Sequence, residues 1–325
     1  MKFDSPVPFE QFMAWALHDP QHGYYARRIS RVGERGDFTT APMLSEAPAM
    51  AIAAWVAKAA KETKCWNLIE IGPGEGTLAA SVLKFLPWHQ RWRFRLHLVE
   101  TSAPLAARQQ NLLGNRAVWH PNVSAALAAC EGRAILYSNE LVDAFPVRKF
   151  QKTALGWQEV AVHFDSSKQA HETLLSPAPL PDSSGFLETH PPGQIIEVHQ
   201  SYQKYLATWL PQWKAGRMLT IDYGAPVETL YHRRPRGTLR GYLFQQRLDG
   251  PAIYQNPGRQ DLTADVNFTD LQKWGDPWCQ TSSLRTFGDF LKLPDDHPFS
   301  DPGGAGSAFM VLEQCPQPVG AQGLK

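Results

Sequence analysis

The sequence predicts an α/β fold: a mostly parallel sheet with helices on both faces, plus a smaller accessory lobe from an N-terminal arm and insertions. Three observations predict it. Short apolar runs alternate with helical stretches through the middle of the chain. The first of these runs ends in a turn holding Gly72, Gly74 and Gly76. Later runs also deliver polar residues at their C-terminal ends, where open α/β sheets bind ligands.

The elements follow in order. Phe9, Phe12, Met13, Ala16 and Leu17 recur at helical spacing near the start. A loop rich in turn formers and aromatics follows, including Gly23-Tyr24-Tyr25 and Gly36-Asp37-Phe38. Pro48 opens an Ala-rich helix running to about Ala60. Leu68–Ile71 reads as a buried strand, and Thr77–Leu86 as the helix after the glycine turn. Phe94–Val99 is a strand ending at Glu100, followed by a helix over Pro104–Leu113. Ala134–Tyr137 leads to Ser138-Asn139-Glu140, and Arg217–Ile221 to Asp222-Tyr223-Gly224. Phe150–Phe164 alternates like a hairpin, Ser176–Gly193 reads as a loop, and Ala308–Leu312 as a last strand. The pattern divides the chain into an arm (1–46), a core first half (47–149), an insertion (150–196), a core continuation (197–225), a second insertion (226–260), a C-terminal core part (261–315) and a tail (316–325).

Composition narrows the function classes. The 325 residues are 43% hydrophobic and 19% charged, ordinary for a water-soluble fold. A net charge of +1 gives no global basic field, which argues against a nucleic-acid binder. Arg233, Arg234, Arg236 and Arg240 cluster in a polar stretch that reads as a solvated loop. Cys65, Cys130, Cys279 and Cys315 form no C-x-x-C pair, so neither a disulfide framework nor a metal site is expected. No run reaches the roughly 20 apolar residues of a membrane span. Nothing at the N-terminus reads as a targeting peptide, so the expected compartment is the cytoplasm.

The glycine turn carries the ligand signal. Glycine permits a tight turn and close approach by a ligand. A dinucleotide fingerprint wants a further glycine where this chain has Thr77. Glu70 lies two residues before Gly72, and Glu100 ends the next strand. S-adenosyl-L-methionine has no phosphate but carries a sulfonium and an ammonium. Glu70 suits the ammonium, and Glu100 suits the two ribose hydroxyls. The cofactor set is therefore Glu70, Gly72, Gly74, Gly76 and Glu100, with Asp37 of the arm as a candidate for closing over the site. Solvated strand ends are the plain alternative for the two glutamates.

The ordered motifs resemble the MidA-like methyltransferases, a group that includes the mitochondrial complex I assembly factor that methylates a protein arginine. The resemblance covers nearly the whole chain. It rests on Asp19-Pro20 with Gly23-Tyr24-Tyr25, Gly36–Pro42, Glu70–Leu78, Val99–Ser102 with Leu105 and Gln109, Asn139–Val147, Asp222-Tyr223-Gly224, Gly237–Tyr242 and Asp261–Val266. It implies a Rossmann-like class I methyltransferase sheet, S-adenosyl-L-methionine as cofactor and arginine on a protein as substrate. Two departures stand out. Met43 occupies a place where the family has Glu, and Gln245-Gln246 replaces a family His.

A guanidinium is a poor nucleophile because its charge is delocalised and it stays protonated. Carboxylates that grip one side localise that charge and free a nitrogen to attack. Asn139, Glu140 and Asp143 are the candidates. A helix starting there would put Glu140 and Asp143 on one face. The rival account makes Asn139 a helix cap and Asp143 a partner of the helix dipole. A methyltransferase for a small molecule and a non-catalytic assembly factor remain as alternatives on the same fold.

Overall fold

The computed structural model describes residues 3, 5–27, 45–292 and 304–318. Asp37 and Met43 lie outside the described residues. The chain forms two compact units, each assembled from three stretches. One, the core unit, takes Thr39–Leu141, Tyr205–Tyr223 and Gln272–Lys325 as far as they are described. The other, the accessory unit, takes Met1–Phe38, Val142–Lys204 and Gly224–Leu271 on the same terms.

The core unit is built on a sheet of β1 (Asn67–Ile71), β2 (Arg95–Val99), β3 (Ala117–His120), β4 (Ile135–Asn139), β5 (Met218–Ala225), β6 (Cys279–Thr286) and β7 (Phe309–Pro316). Their order is β6-β7-β5-β4-β1-β2-β3. The first five run parallel, while β7 is antiparallel to both β5 and β6. Strand order reverses between β1 and β4, the switch point at which such sheets open a ligand crevice. Leu68, Ile69, Ile135 and Leu136 are wholly buried, as expected of central parallel strands covered on both faces.

Helix Ala47–Thr63 buries Ile52, Ala53, Val56 and Ala60 against this sheet's core cluster. Alanine gives it high propensity, and Pro48 sits in its first turn where no N–H is needed. It stops at Lys64, whose φ is 58° and whose N–H donates to Ala60 O. Helix Thr77–Phe85 follows β1 and helix Ala103–Leu113 follows β2, each within a residue of its predicted bounds. β3 and the antiparallel β6 were not read from the sequence. β6 runs Cys-Gln-Thr-Ser-Ser-Leu-Arg-Thr, too polar to register as an apolar run, and is held by pairing with β7.

In the accessory unit, helix Phe9–His18 buries Phe9, Phe12, Met13, Ala16 and Leu17 completely, the face its spacing predicts. The expected hairpin is Arg148–Thr153 with Gly156–Phe164. Strand Ile195–Val198 pairs with the first arm of that hairpin, so residues 197–204 group with 150–196. Strand Asp261–Thr263 likewise pairs with Arg240–Leu243, which ties 261–271 to the preceding insertion. The polar stretch after Tyr231 thus contains ordered strands. Leu239, Leu262 and Ala264 join the Phe9–Leu17 cluster.

Candidate functional site

The C-terminal ends of β1, β2 and β4 gather the predicted residues of the core unit. β1 delivers Glu70, which is 2% exposed. Register sets Glu70 directly beside Tyr137 of β4, and the tyrosine hydroxyl donates to Glu70 Oε2 at 2.6 Å. Burial pushes the Glu70 carboxyl up to about 8, with the tyrosine hydrogen bond opposing the rise. At neutral pH this glutamate holds its proton.

The turn after β1 is shaped by two glycines in different surroundings. Gly72 has φ +68°, and a Cβ there would come within 2.7 Å of Leu141 Cδ1. Gly74 has φ +55°, with nothing within 4 Å of the place a Cβ would take. The turn closes by Gly76 N–H donating to Pro73 O at 2.8 Å and leads into helix Thr77–Phe85. Arg108 pairs with Glu75 at 2.9 Å, which ties the turn to the next helix.

Glu100 follows β2. Its Oε1 accepts from Ser102 N–H at 2.7 Å and its Oε2 from Gln109 Nε2 at 3.1 Å. Desolvation raises its pKa, and the hydrogen bonds from Ser102, Gln109 and Thr101 restrain the rise. Gln109 is fully buried and also donates to Gly74 O at 2.6 Å, while its Oε1 accepts from Trp119 Nε1 at 2.9 Å. One carboxamide thus joins the glycine turn, the Glu100 carboxylate and β3. The sequence supplied Gln109 only as part of a pattern; its partners depend on three strand ends that only the fold brings together.

β4 ends at Asn139. Its Nδ2 donates to Glu140 Oε1 at 3.0 Å, and its buried Oδ1 has no partner among the described residues. Glu140 has φ +51°, and its N–H donates to Ile221 O of β5 at 3.0 Å. No helix starts here, so the expected shared helical face for Glu140 and Asp143, and the helix-cap account of Asn139, both fall. The strand instead ends in a turn fastened by Asp222, fully buried, whose Oδ2 accepts from Leu141 N–H at 3.0 Å. Asp222 Oδ1 accepts from Tyr223 N–H. Tyr223 itself packs on Phe309 at 3.8 Å between ring centroids.

Asp143 belongs to the accessory unit. It is 4% exposed, and its carbonyl accepts from Ala264 N–H at 3.1 Å. In the same unit Tyr25 OH donates to Asp261 Oδ1 at 3.0 Å, while Tyr24 is buried and packs edge-on against Tyr25. Arg240, within the expected solvated cluster, is instead buried and paired with Asp265, which also pairs with Arg234. All four cysteines are free thiols, three of them buried. No helix among the described residues is long and apolar enough to cross a membrane.

The site offers acceptors: Glu70, Glu100 and the unpartnered Asn139 Oδ1, beside open space at Gly74. That set of acceptors fits a cofactor with an ammonium, a sulfonium and ribose hydroxyls, and the guanidinium at the turn, that of Arg108, is paired with Glu75.

Comparisons with known proteins agree with the motif resemblance. A family model described as "Putative S-adenosyl-L-methionine-dependent methyltransferase" matches residues 50–287. The mouse protein arginine methyltransferase NDUFAF7, mitochondrial, is 28% identical over 84% of this chain and 67% of its own length. Its Drosophila melanogaster homologue is 29% identical over 81% of this chain and 65% of its own. The chain therefore spans about two thirds of these relatives' length. A crystal structure of a protein from Burkholderia thailandensis described as a "likely methyl transferase", bound to S-adenosyl-homocysteine, superposes with a TM-score of 0.81 at 24% identity, covering 96% of this chain and 88% of that one. It shares the Rossmann-like fold. Because the family model covers most of the chain, from within helix Ala47–Thr63 to the end of β6, the chain belongs to this family of S-adenosyl-L-methionine-dependent methyltransferases.

Proposed function

We propose that this methyltransferase modifies arginine on a protein substrate. The observation that carries the reading is similarity, over four fifths of the chain, to relatives named protein arginine methyltransferase. S-adenosyl-L-methionine, when bound, supplies a methyl group on a sulfonium, which is an excellent leaving group. The chain's own work is then to bind, align and desolvate.

In this reading Glu70 and Asn139 Oδ1 accept from the cofactor's ammonium, directly or through water. Glu100, oriented by Ser102 and Gln109, accepts from the ribose hydroxyls. Gly72, Gly74 and Gly76 keep side chains out of the approach. Glu140 grips the guanidinium from one side, so that its charge localises and one nitrogen is free to attack, and as the new N–C bond forms that nitrogen gives up its proton to Glu140; Asn139 holds Glu140 in place through Nδ2.

Calorimetry with S-adenosyl-L-methionine and with NAD tests the cofactor assignment, and Gly74→Trp must abolish binding of the former. Mass spectrometry with isotopically labelled methyl donor tests the substrate. Label confined to metabolites, with no protein modified, would end the arginine reading. The cytoplasm is kept as the proposed compartment. Imaging of the tagged chain tests it, and a mitochondrial signal would replace it, in keeping with the relatives' names.

A further inference from the structure

The core unit carries a second surface at the other end of its strands. β1 starts at Asn67 and β2 at Arg95, each one strand length, roughly 16 Å, from the glycine-turn end. Around these starts lies a cavity of about 460 Å³ lined by Lys61, Lys64, Trp66, His89, Gln90 and Arg93. The Arg93 guanidinium lies 3.6 Å from the Trp66 ring centroid, and Phe94 meets the same ring edge-on. Next to the cavity, Trp88 and Trp92 are 84% and 80% exposed. They stand four residues apart, at the start and just beyond the end of the short helix Trp88–Arg91.

The methyl-transfer site uses none of these residues. Nor does internal pairing account for them. Glu62, the acidic residue between Lys61 and Lys64, is engaged by Lys58 at 3.8 Å and Arg217 at 3.4 Å. Lys61, Lys64 and Arg93 have no carboxylate partner among the described residues. Gln90 is 3% exposed; its Nε2 contacts His89 Nε2 at 3.1 Å, and its Oε1 has no partner. Among the described residues, two exposed indoles thus stand beside two lysines and an arginine that lack a carboxylate, and beside an unmet acceptor.

We infer that this face docks an acidic segment of a partner protein. One carboxylate side chain of the segment enters the cavity between Lys61, Lys64 and Arg93, and Trp88 and Trp92 cover the apolar residues beside it. Charge complementarity selects the occupant. Tryptophan and arginine are also the residues that anchor protein interfaces. A peptide brings N–H groups that can satisfy Gln90 Oε1, which phosphate oxygens cannot. A nucleic acid is bound through an extended basic field, and this chain has a net charge of only +1.

The test is fluorescence anisotropy of the full chain with a labelled, end-blocked peptide alternating Glu and Leu. The wild type binds it, more weakly as salt rises, and does not bind the Lys/Leu counterpart. Trp88→Ala with Trp92→Ala weakens binding by at least about tenfold, and Arg93→Glu abolishes it. Calorimetry with S-adenosyl-L-methionine gives the same affinity for every variant, which establishes that each is folded. Failure of the wild type to bind the acidic peptide overturns the inference, as does equal binding by the variants. So does preferred binding of phosphatidylglycerol vesicles or of a single-stranded oligonucleotide.

Discussion

Tyr137 of β4 donates its hydroxyl proton to the buried Oε2 of Glu70 on β1, and strand register sets the two residues side by side. The folded chain keeps Glu70 protonated up to about pH 8, whereas the unfolded chain releases that proton near the ordinary 4.5. Between these values the unfolded state binds fewer protons, so stability falls as pH rises, by about 1.4 kcal/mol per pH unit. The contribution is whole below pH 4.5 and gone above about 8. Urea unfolding at pH 5 and pH 8 should therefore show a decline in the wild type that Glu70→Gln lacks. Equal declines would mean that Glu70 is ionised in the fold.

The same proton gives a signature of cofactor binding. A cation brought beside Glu70 favours its charged form. Binding of S-adenosyl-L-methionine near pH 7 should release a fraction of a proton. Calorimetry in two buffers of different ionisation enthalpy measures it directly. Glu70→Gln should bind without release. A buffer-independent enthalpy in the wild type would remove Glu70 from the ammonium's surroundings.

Gly72 and Gly74 separate backbone strain from ligand space. Both have positive φ, so alanine at either position should cost about 1–2 kcal/mol. The Gly72→Ala methyl group also presses on Leu141 Cδ1, an end that can move aside. Gly74→Trp should unfold no more easily than Gly74→Ala, because its side chain points into open space. It should nonetheless lose the cofactor altogether. Denaturation midpoints beside calorimetry on the three variants decide the matter.

Gln109 should act on two features at once. Gln109→Leu leaves Gly74 O, Glu100 Oε2 and Trp119 Nε1 each one partner short. A cost of about 1–3 kcal/mol is expected in unfolding experiments, with cofactor affinity falling roughly tenfold or more, since about 1.4 kcal/mol is lost per tenfold. Trp119→Phe removes only one of these bonds and should leave affinity nearly unchanged.

In the accessory unit, Asp265 is 8% exposed and Arg240 6%. Removing one partner of such a pair strands the other, so Asp265→Ala should destabilise by about 3–5 kcal/mol. Arg234, half exposed, also pairs with Asp265, yet Arg234→Ala should cost less than about 1 kcal/mol. Comparable losses in the two variants would contradict the assignment of the buried pair as the dominant one.

What could be read from the sequence was what local pattern encodes. The apolar run before Gly72, the Ala-rich helix after Pro48 and the Phe9–Leu17 stripe all carry their signal within a few residues. Glu70 and Glu100 were recognisable because each ends such a run. β6 escaped because its Gln280, Thr281, Ser282 and Ser283 have no apolar alternation, and β7 alone makes it a strand. The stretch after Asn139 was read as a helix start because Asn and Asp at that spacing suit a cap. Its actual conformation is set by Ile221 and Asp222, some 80 residues away. Tyr137 and Gln109 were invisible as site residues for the same reason: their partners are fixed by strand register and the close approach of strand ends.

The threefold splitting of each unit also orders events during synthesis. β1 to β4 leave the ribosome early, but β5 must wait until residue 225 is made and β7 until residue 316. Until then β4 has an unpaired edge, and β5 in turn lacks its antiparallel neighbour. An unpaired edge is an invitation to aggregation. Nascent chains halted shortly after Leu141 should therefore recruit chaperones, and no single contiguous fragment can be excised as a self-sufficient unit.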